Sequence, residues 1–570
     1  MAESLNKPLL VLVALIQGLL LFGLKETVIY EVWPHDVRSA ELLLWSICLC
    51  VPILLLLSLN TDNFKQTSIG AAAFAAVLVL IAGYVGFQLE PSESIYPSSM
   101  LWIYGVTLAV LLFKVTMYLQ IWADKQPLTY AQLFLYSWRN TILVALCLLF
   151  VLIFGGILTL WAGLFSVVGI NLFREIFSES WFLFPVLALA NGLAFVIFRN
   201  LVGILDTMSR VLRALCQFLL PVLIFICLLF LICLPFVGIS ALWDTGRGTA
   251  LVLWLQALIL FFYNATYQNE MEASPYWKPI QRFISLGLLV LPIYSLIAIY
   301  GLWLRVDQYG LTVARCWAMV VTILLALFAI AYTINLLWFR ANASDKFGWI
   351  NVRMGLVVMA LMVLVNTPFL DFRKATVRSQ LATLESGEVS LEEFDVRYFA
   401  RELGRPGYLA LEQLKLEQDE AFSGRVAEAY RRWNAESVTL SEEQAIEKIR
   451  RYPEELEIPE ALLAEVTPLA SNANNSAVYV LNPDLNGDGT GDWVVITQAT
   501  WNYVNAQHWQ IVEGRWERKN LTNSISRPNT LNLAEAFENN EVSVEAPTWQ
   551  LLKIGDTVFQ ISEEQPLANP

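Results

Sequence analysis

Apolar runs of about twenty residues, separated by short polar stretches, fill the chain up to Leu370, and beyond Asp371 no run can cross a bilayer. Each run is long enough to span the roughly 30 Å hydrocarbon layer as a helix. Eleven are present: Pro8–Leu24, Ala40–Leu59, Ser68–Phe87, Leu101–Trp122, Thr141–Phe165, Trp181–Phe198, Leu215–Leu242, Thr249–Tyr267, Ile284–Leu304, Ala314–Phe339 and Val352–Leu370. Lys25–Glu26 follows the first run directly, and no small-x-small site stands before the second, so the first run reads as a retained span rather than a cleaved leader.

The pattern changes after Leu370. Arg373–Glu385 is helical and stops at Gly387. Ser390-Leu391-Glu392-Glu393 is a capping box predicting a helix that Gly404 and Pro406 close, and Tyr408–Ala435 and Ser441–Arg451 continue helically. Residues 472–476 form a linker, after which strands are predicted near Ala477–Leu481, Trp493–Thr497, Gln507–Glu513, Val542–Val544 and Val558–Ile561. The expected fold is an α-helical polytopic membrane bundle of 11 spans with a C-terminal soluble α+β domain. It divides into residues 1–370 (bundle), 371–470 (soluble helical segment) and 471–570 (β-rich segment). Two further stretches read as surface helices: Arg199–Arg213 on the face that carries the N-terminus and Gly169–Glu179 on the other.

Composition agrees with this division. The chain is 57% hydrophobic and 15% charged, against about 25% charged in soluble domains. From Asp371 onward there are 33 acids and 18 bases, so the whole net charge of −13 lies in the tail. Nucleic acid rewards clustered Lys and Arg and is excluded as the tail's partner. All seven cysteines lie before Leu370, so neither a disulfide framework nor a cysteine zinc site can form in the tail. Twelve Lys and Arg in the loops on the N-terminal side, against six opposite, place the N-terminus in the cytoplasm. An odd span number then puts the tail outside.

Ionisable groups within spans are costly and usually functional. Lys114 is the exception here, expected to snorkel toward the nearer interface. Among neutral polar residues in the spans, Gln17, Gln256 and Asn366 suit interhelical hydrogen bonds, while Asn191, Asn264, Tyr267 and Asn335 are candidates for lining a cavity. Asn191-Gly192 also suits a close helix contact.

The sharpest motif in the tail is Asp484-Leu-Asn486-Gly487-Asp488-Gly489-Thr490-Gly491-Asp492. Oxygen ligands from Asp484, Asn486, Asp488 and Asp492, with the Thr490 carbonyl, have the spacing of a calcium loop, and Gly489 falls at its sharp turn. Val495 stands where an EF-hand has its bidentate glutamate, and the flanks read as strands, so a single Ca²⁺ hairpin with a structural ion is expected. The alternative is a solvated Asn/Gly/Asp turn.

With only His35 and His508 in the chain, histidine-rich metal sites cannot form, and no P-loop or nucleophile elbow is present. Tyr309-Gly310-Leu311-Thr312-x-x-Arg315 resembles a signature of the bacterial integral-membrane family named domain of unknown function 4153. Ser379-Gln380, Leu384-Glu385-Ser386-Gly387, Phe394-Asp395 and Gly404-Arg405-Pro406-Gly407 resemble a second, and Leu128-Thr129-Tyr130…Leu133-Phe134…Trp138-Arg139-Asn140 a third. The resemblance covers Leu5 to Leu411 and implies a membrane architecture without an assigned activity. The leading functional expectation is a non-enzymatic protein of the bacterial inner membrane whose periplasmic domain binds a protein partner or senses conditions. The alternatives are a transporter or channel with a neutral polar cavity, and a membrane-embedded enzyme acting on a lipid-linked substrate. One cavity joining Asn191, Asn264 and Asn335 would favour transport.

Overall fold

The computed structural model describes residues 6–521, except 93, 96–97, 239–241, 244–246, 268–274, 339–342, 419, 435–441, 454, 472–474, 486–490, 500–503 and 513–514, together with 552–554 and 557–559. Two compact units divide at Val426/Ala427.

Eleven membrane-length apolar segments are present in the first unit. They are built from helices α1 (Lys7–Ile29), α2 (Arg38–Ser58), α3 (Phe64–Phe87), α4 (Ser98–Ala123), α5 (Tyr130–Val167), α7 (Ser180–Asn200), α8 (Val202–Val237), α9 (Gly248–Thr266), α10 (Lys278–Leu289) with α11 (Leu291–Tyr309), α12 (Val313–Trp338) and α13 (Ala343–Leu364). No span has more than 44% of its apolar window buried, so their outer faces are left for hydrocarbon. This is a polytopic membrane protein. Short α6 (Leu172–Ser178) occupies the stretch expected as a surface helix.

The stretch Arg199–Arg213, expected as a separate surface helix, instead divides between the end of α7 and the first turns of α8. No Gly or Pro lies between Ile204 and Leu220, so nothing stops the helix as it enters the seventh span. The ninth span is broken at Val290, because Pro292 lacks an N–H and takes the first turn of α11. Helices α1 and α7 approach closely: a Cβ on Gly192 would stand 2.4 Å from Ala14 Cβ, and one on Gly18 would stand 2.6 Å from Pro185 Cα.

After the last span, α14 (Phe372–Glu385), α15 (Val396–Glu402) and α16 (Gly404–Glu417) belong to the same compact unit as the bundle. The sequence boundary at Leu370 therefore marks where the chain leaves its apolar spans, while the folded unit continues. Gly387 has φ +75°, as its expected role in closing α14 requires. The Ser390 box makes only a turn, with Ser390 Oγ accepting from Glu393 N at 3.3 Å, and Asp395 caps the next helix. Gly404 and Pro406 open α16 rather than close α15, since proline is tolerated in a first helical turn.

In the second unit, α18 (Glu442–Glu447) and α19 (Glu460–Ser471) share a core with a five-stranded sheet through Leu462, Val466, Val478, Val480, Val495 and Trp509. Strands β1 (Ile449–Tyr452), β2 (Asn475–Leu481), β3 (Trp493–Ala499), β4 (Val504–Val512) and β5 (Arg515–Leu521) lie in that order, with β1 parallel to β2 and the remaining pairs antiparallel. Short β6 (Leu552–Ile554) pairs with β7 (Thr557–Phe559). Strand β1 occupies the end of a predicted helix, and the strand expected at Val542–Val544 lies outside the described residues.

Candidate functional site

Two built features stand out in the membrane unit. The first joins residues far apart in sequence. Gly310, with φ +67°, makes the turn between α11 and α12, and Thr312 Oγ1 accepts from Arg315 N at 3.3 Å. The turn's polar groups are met by the helices beyond the last span. Ser379 Oγ accepts from Leu311 N at 3.0 Å, and Gln380 Nε2 donates to the carbonyls of Tyr309 and Leu311 at 3.2 and 2.9 Å. Tyr398 Oη accepts from Val313 N at 2.9 Å, and burial pushes this phenol above its ordinary pKa. Arg315 Nη1 closes the turn from the other side, donating to Gly310 O at 2.6 Å.

A parallel clamp holds the loop after α3. Arg405 N donates to Gln88 O at 2.9 Å, Arg405 Nη1 donates to Glu90 O at 3.2 Å, and the guanidinium lies 4.3 Å from the Phe87 ring centre. Gly404, with φ +55°, lets the backbones approach, since a Cβ there would meet Met100 Sδ at 2.6 Å and Gln88 O at 2.9 Å. Asp371 caps α14 through Arg373 N and Lys374 N while accepting from the Tyr84 hydroxyl.

The second feature is a cavity of about 430 Å³ between α4, α5, α9, α12 and α13, at the end of the bundle where α1 begins. Its size falls within the roughly 300–1,000 Å³ usual for small-molecule sites. Behind one wall is a polar cluster: Tyr332 Oη lies 2.6 Å from both Asn264 Oδ1 and Asn351 Oδ1 and donates its single proton to one of them, and Asn351 Nδ2 donates to Asn264 Oδ1 at 2.8 Å. Tyr130 Oη donates to Asn264 O at 3.0 Å and Tyr118 Oη to Val352 O at 2.7 Å. Gly355 leaves room for that phenol, as a Cβ there would stand 2.3 Å from it. Phe134, Trp138 and Phe328 give the opposite walls their aromatic character.

Lys114 lines this cavity. Position 114 is nine residues before the end of α4, or roughly 14 Å along the helix at about 1.5 Å per residue. Among the described residues it makes no hydrogen bond or ion pair, and no acid lines the cavity. Lys114, expected to snorkel, is half-buried beside the aromatic walls of this cavity.

The remaining candidates are dispersed. Asn191 lines a different cavity with Gln17, Val144 and Phe195. Tyr267 packs on Tyr263 and Tyr276, and Asn335 is buried on α12; neither lines the Lys114 cavity. Gln17, Gln256 and Asn366 make interhelical bonds, to Cys48 O, to Ser295 Oγ and to Thr107 Oγ1 respectively. Sequence reasoning missed Tyr130, Tyr332 and Asn351. Counting depth from span ends would have found Tyr130 and Asn351 level with Asn264, since each lies within a few residues of that end of its helix.

In the calcium motif, Asn486, Asp488 and Thr490 lie outside the described residues. Asp484 and Asp492 stand at the two ends of the β2–β3 connection. Asp492 Oδ2 accepts from Leu485 N at 2.9 Å and Oδ1 faces His508 Nε2 at 3.1 Å. Among the described residues no three His, Cys, Asp or Glu side chains converge on one point.

A sequence profile of the family described as domain of unknown function (DUF4153) matches residues 37–414. The chain belongs to the DUF4153 family. The DUF4153 region takes in both clamps and the Lys114 cavity, and ends before the second compact unit. Of the segments that resembled the family signature, Tyr309–Arg315 meets Ser379-Gln380 in the first clamp, Gly404-Arg405 forms the second against the loop after α3, and Leu128–Asn140 supplies Tyr130, Leu133, Phe134 and Trp138 to the cavity. Neither the curated proteins nor the solved structures contain a match to this chain.

Proposed function

We propose that this DUF4153 protein is a non-enzymatic protein of the bacterial inner membrane, and that its C-terminal side forms a periplasmic platform for binding a protein partner or sensing conditions. The observation that carries this reading is the pair of clamps. They fix α14–α16 onto the loops after α3 and after α11, and the odd number of spans before each loop supports putting both on the face opposite the N-terminus. The excess of Lys and Arg in loops on the N-terminal side supports a cytoplasmic N-terminus. A transport reading gains less support, because Asn191 and Asn264 line separate cavities.

Sidedness is tested in right-side-out membrane vesicles with a membrane-impermeant maleimide, after the native cysteines are replaced. A cysteine at the exposed position Glu388 is expected to react in closed vesicles, and one at Lys125 only after they are opened. The reverse pattern would place the platform in the cytoplasm.

The β2–β3 hairpin is proposed to hold a structural Ca²⁺. In support, Asp484 and Asp492 flank the loop, and each Asp492 oxygen retains an unused lone pair beside its present partner. Melting of the second unit within the full chain is expected to move upward with millimolar Ca²⁺ but not with equal Mg²⁺, and Asp492→Asn is expected to remove the shift. Equal responses to both ions would reject the site.

A further inference from the structure

We infer that the Lys114 cavity is a binding site for the anionic headgroup of a bilayer amphiphile, a phosphate ester or carboxylate that serves as the missing counter-charge for this ammonium. The inference is independent of the periplasmic platform and of which face carries it.

Three observations converge. First, the neutral polar groups of the wall are already engaged with one another: Tyr130, Tyr118 and Asn351 each donate to a protein oxygen, as does Ser137, whose hydroxyl bonds Phe134 O at 2.8 Å. Lys114 alone among these lining groups brings a charge and three uncommitted donors. Second, an ammonium held within a span with no acid partner among the described residues is costly, and a bound anion offsets that cost. Charge-assisted bonds to phosphate or carboxylate are the strong ones available to it. Third, the residues that line the cavity lie on helices, toward the end of the bundle where α1 begins, and none lies in a loop. Phe113 and Phe261 line the cavity and are exposed on the outer surface of the bundle, which here faces hydrocarbon. An occupant entering between them comes from the bilayer, with its apolar body against the aromatic wall and its charge at Lys114. A neutral solute would leave the cation unpaired, and a free anion would leave the aromatic surface in contact with water.

The test uses the purified full chain and native mass spectrometry with equimolar phosphatidylglycerol and phosphatidylcholine, followed by thermal melting with each lipid and with inorganic phosphate. Wild type is expected to retain phosphatidylglycerol preferentially and to melt higher with it. Lys114→Met is expected to retain at least about tenfold less, equivalent to the loss of ~1.4 kcal/mol, with no loss of melting temperature in the absence of lipid. Lys114→Arg should keep the preference, and Lys125→Met, which alters an exposed lysine at the same end of the bundle, should not change it. Equal retention by wild type and Lys114→Met would overturn the inference. So would a wild type without preference for the anionic lipid, a result that stands even if the methionine variant fails to fold. Inorganic phosphate raising the melting temperature as much as phosphatidylglycerol would show a free-anion site and overturn the assignment to an amphiphile.

Discussion

Arg199→Met is expected to lower the melting temperature of the purified protein by about 3 °C, the consequence of losing roughly 3 kcal/mol. Arg199 is 3% exposed, and its guanidinium reaches from the end of α7 to the end of α2. There it donates to Leu56 O at 2.8 Å, Leu59 O at 3.0 Å and Asn60 Oδ1 at 2.6 Å. The final carbonyls of a helix have no intrahelical donor, and a cation placed there also opposes the negative end of the helix dipole. Methionine keeps most of the volume but strands two buried carbonyls, each costing about 1–3 kcal/mol when left unpaired, and frees the part-buried Asn60 Oδ1. Arg199→Lys should recover only part of the loss, because a single ammonium cannot reproduce the planar fork. A methionine variant that melts with wild type would show that water or a neighbouring donor satisfies these carbonyls.

Gly404→Val is expected to release α14–α16 from the bundle, raising the rate of limited proteolysis near the turn at residues 386–391 by at least about tenfold, equivalent to ~1.4 kcal/mol of lost docking. Two effects add. A β-branched residue at φ +55° is strained by about 1–3 kcal/mol. Its Cβ would also press on Gln88 O, a backbone atom that cannot move without breaking the bond from Arg405 N. Gly387→Val separates the two contributions: it carries similar strain at φ +75° but has open space around its Cβ, and should change proteolysis far less. Equal effects at the two glycines would mean that strain alone, not the close approach to the α3–α4 loop, governs the segment.

Much of the clamp around Gly310 was present in the sequence as isolated phrases. Gly310 and Thr312 read as a turn and a cap, and so they are. Nothing local could say that the turn's free N–H and carbonyl groups are completed by Ser379 and Gln380, about seventy positions later. Gly404 and Pro406 read as helix breakers, although both residues are also compatible with a helix start, and only docking against Gln88 and Met100 selects the second use. Arg199 looked like one more loop cation in the orientation count, because a buried Arg and an interfacial Arg have the same sequence neighbourhood.

The eleven spans were determined by the sequence alone. In hydrocarbon every backbone N–H and C=O must be satisfied within the segment, so a sufficiently long apolar run has one outcome whatever its neighbours do. Which face of each span looks inward was decided only by tertiary structure. Lipid and protein interior are almost equally apolar, so hydrophobic pattern carries little information about azimuth, and helix contact rests on small residues and a few polar groups. That is why Gly18 and Gly192 bring α1 against α7, why Tyr332 meets Asn264 and Asn351, and why Lys114 lines a cavity.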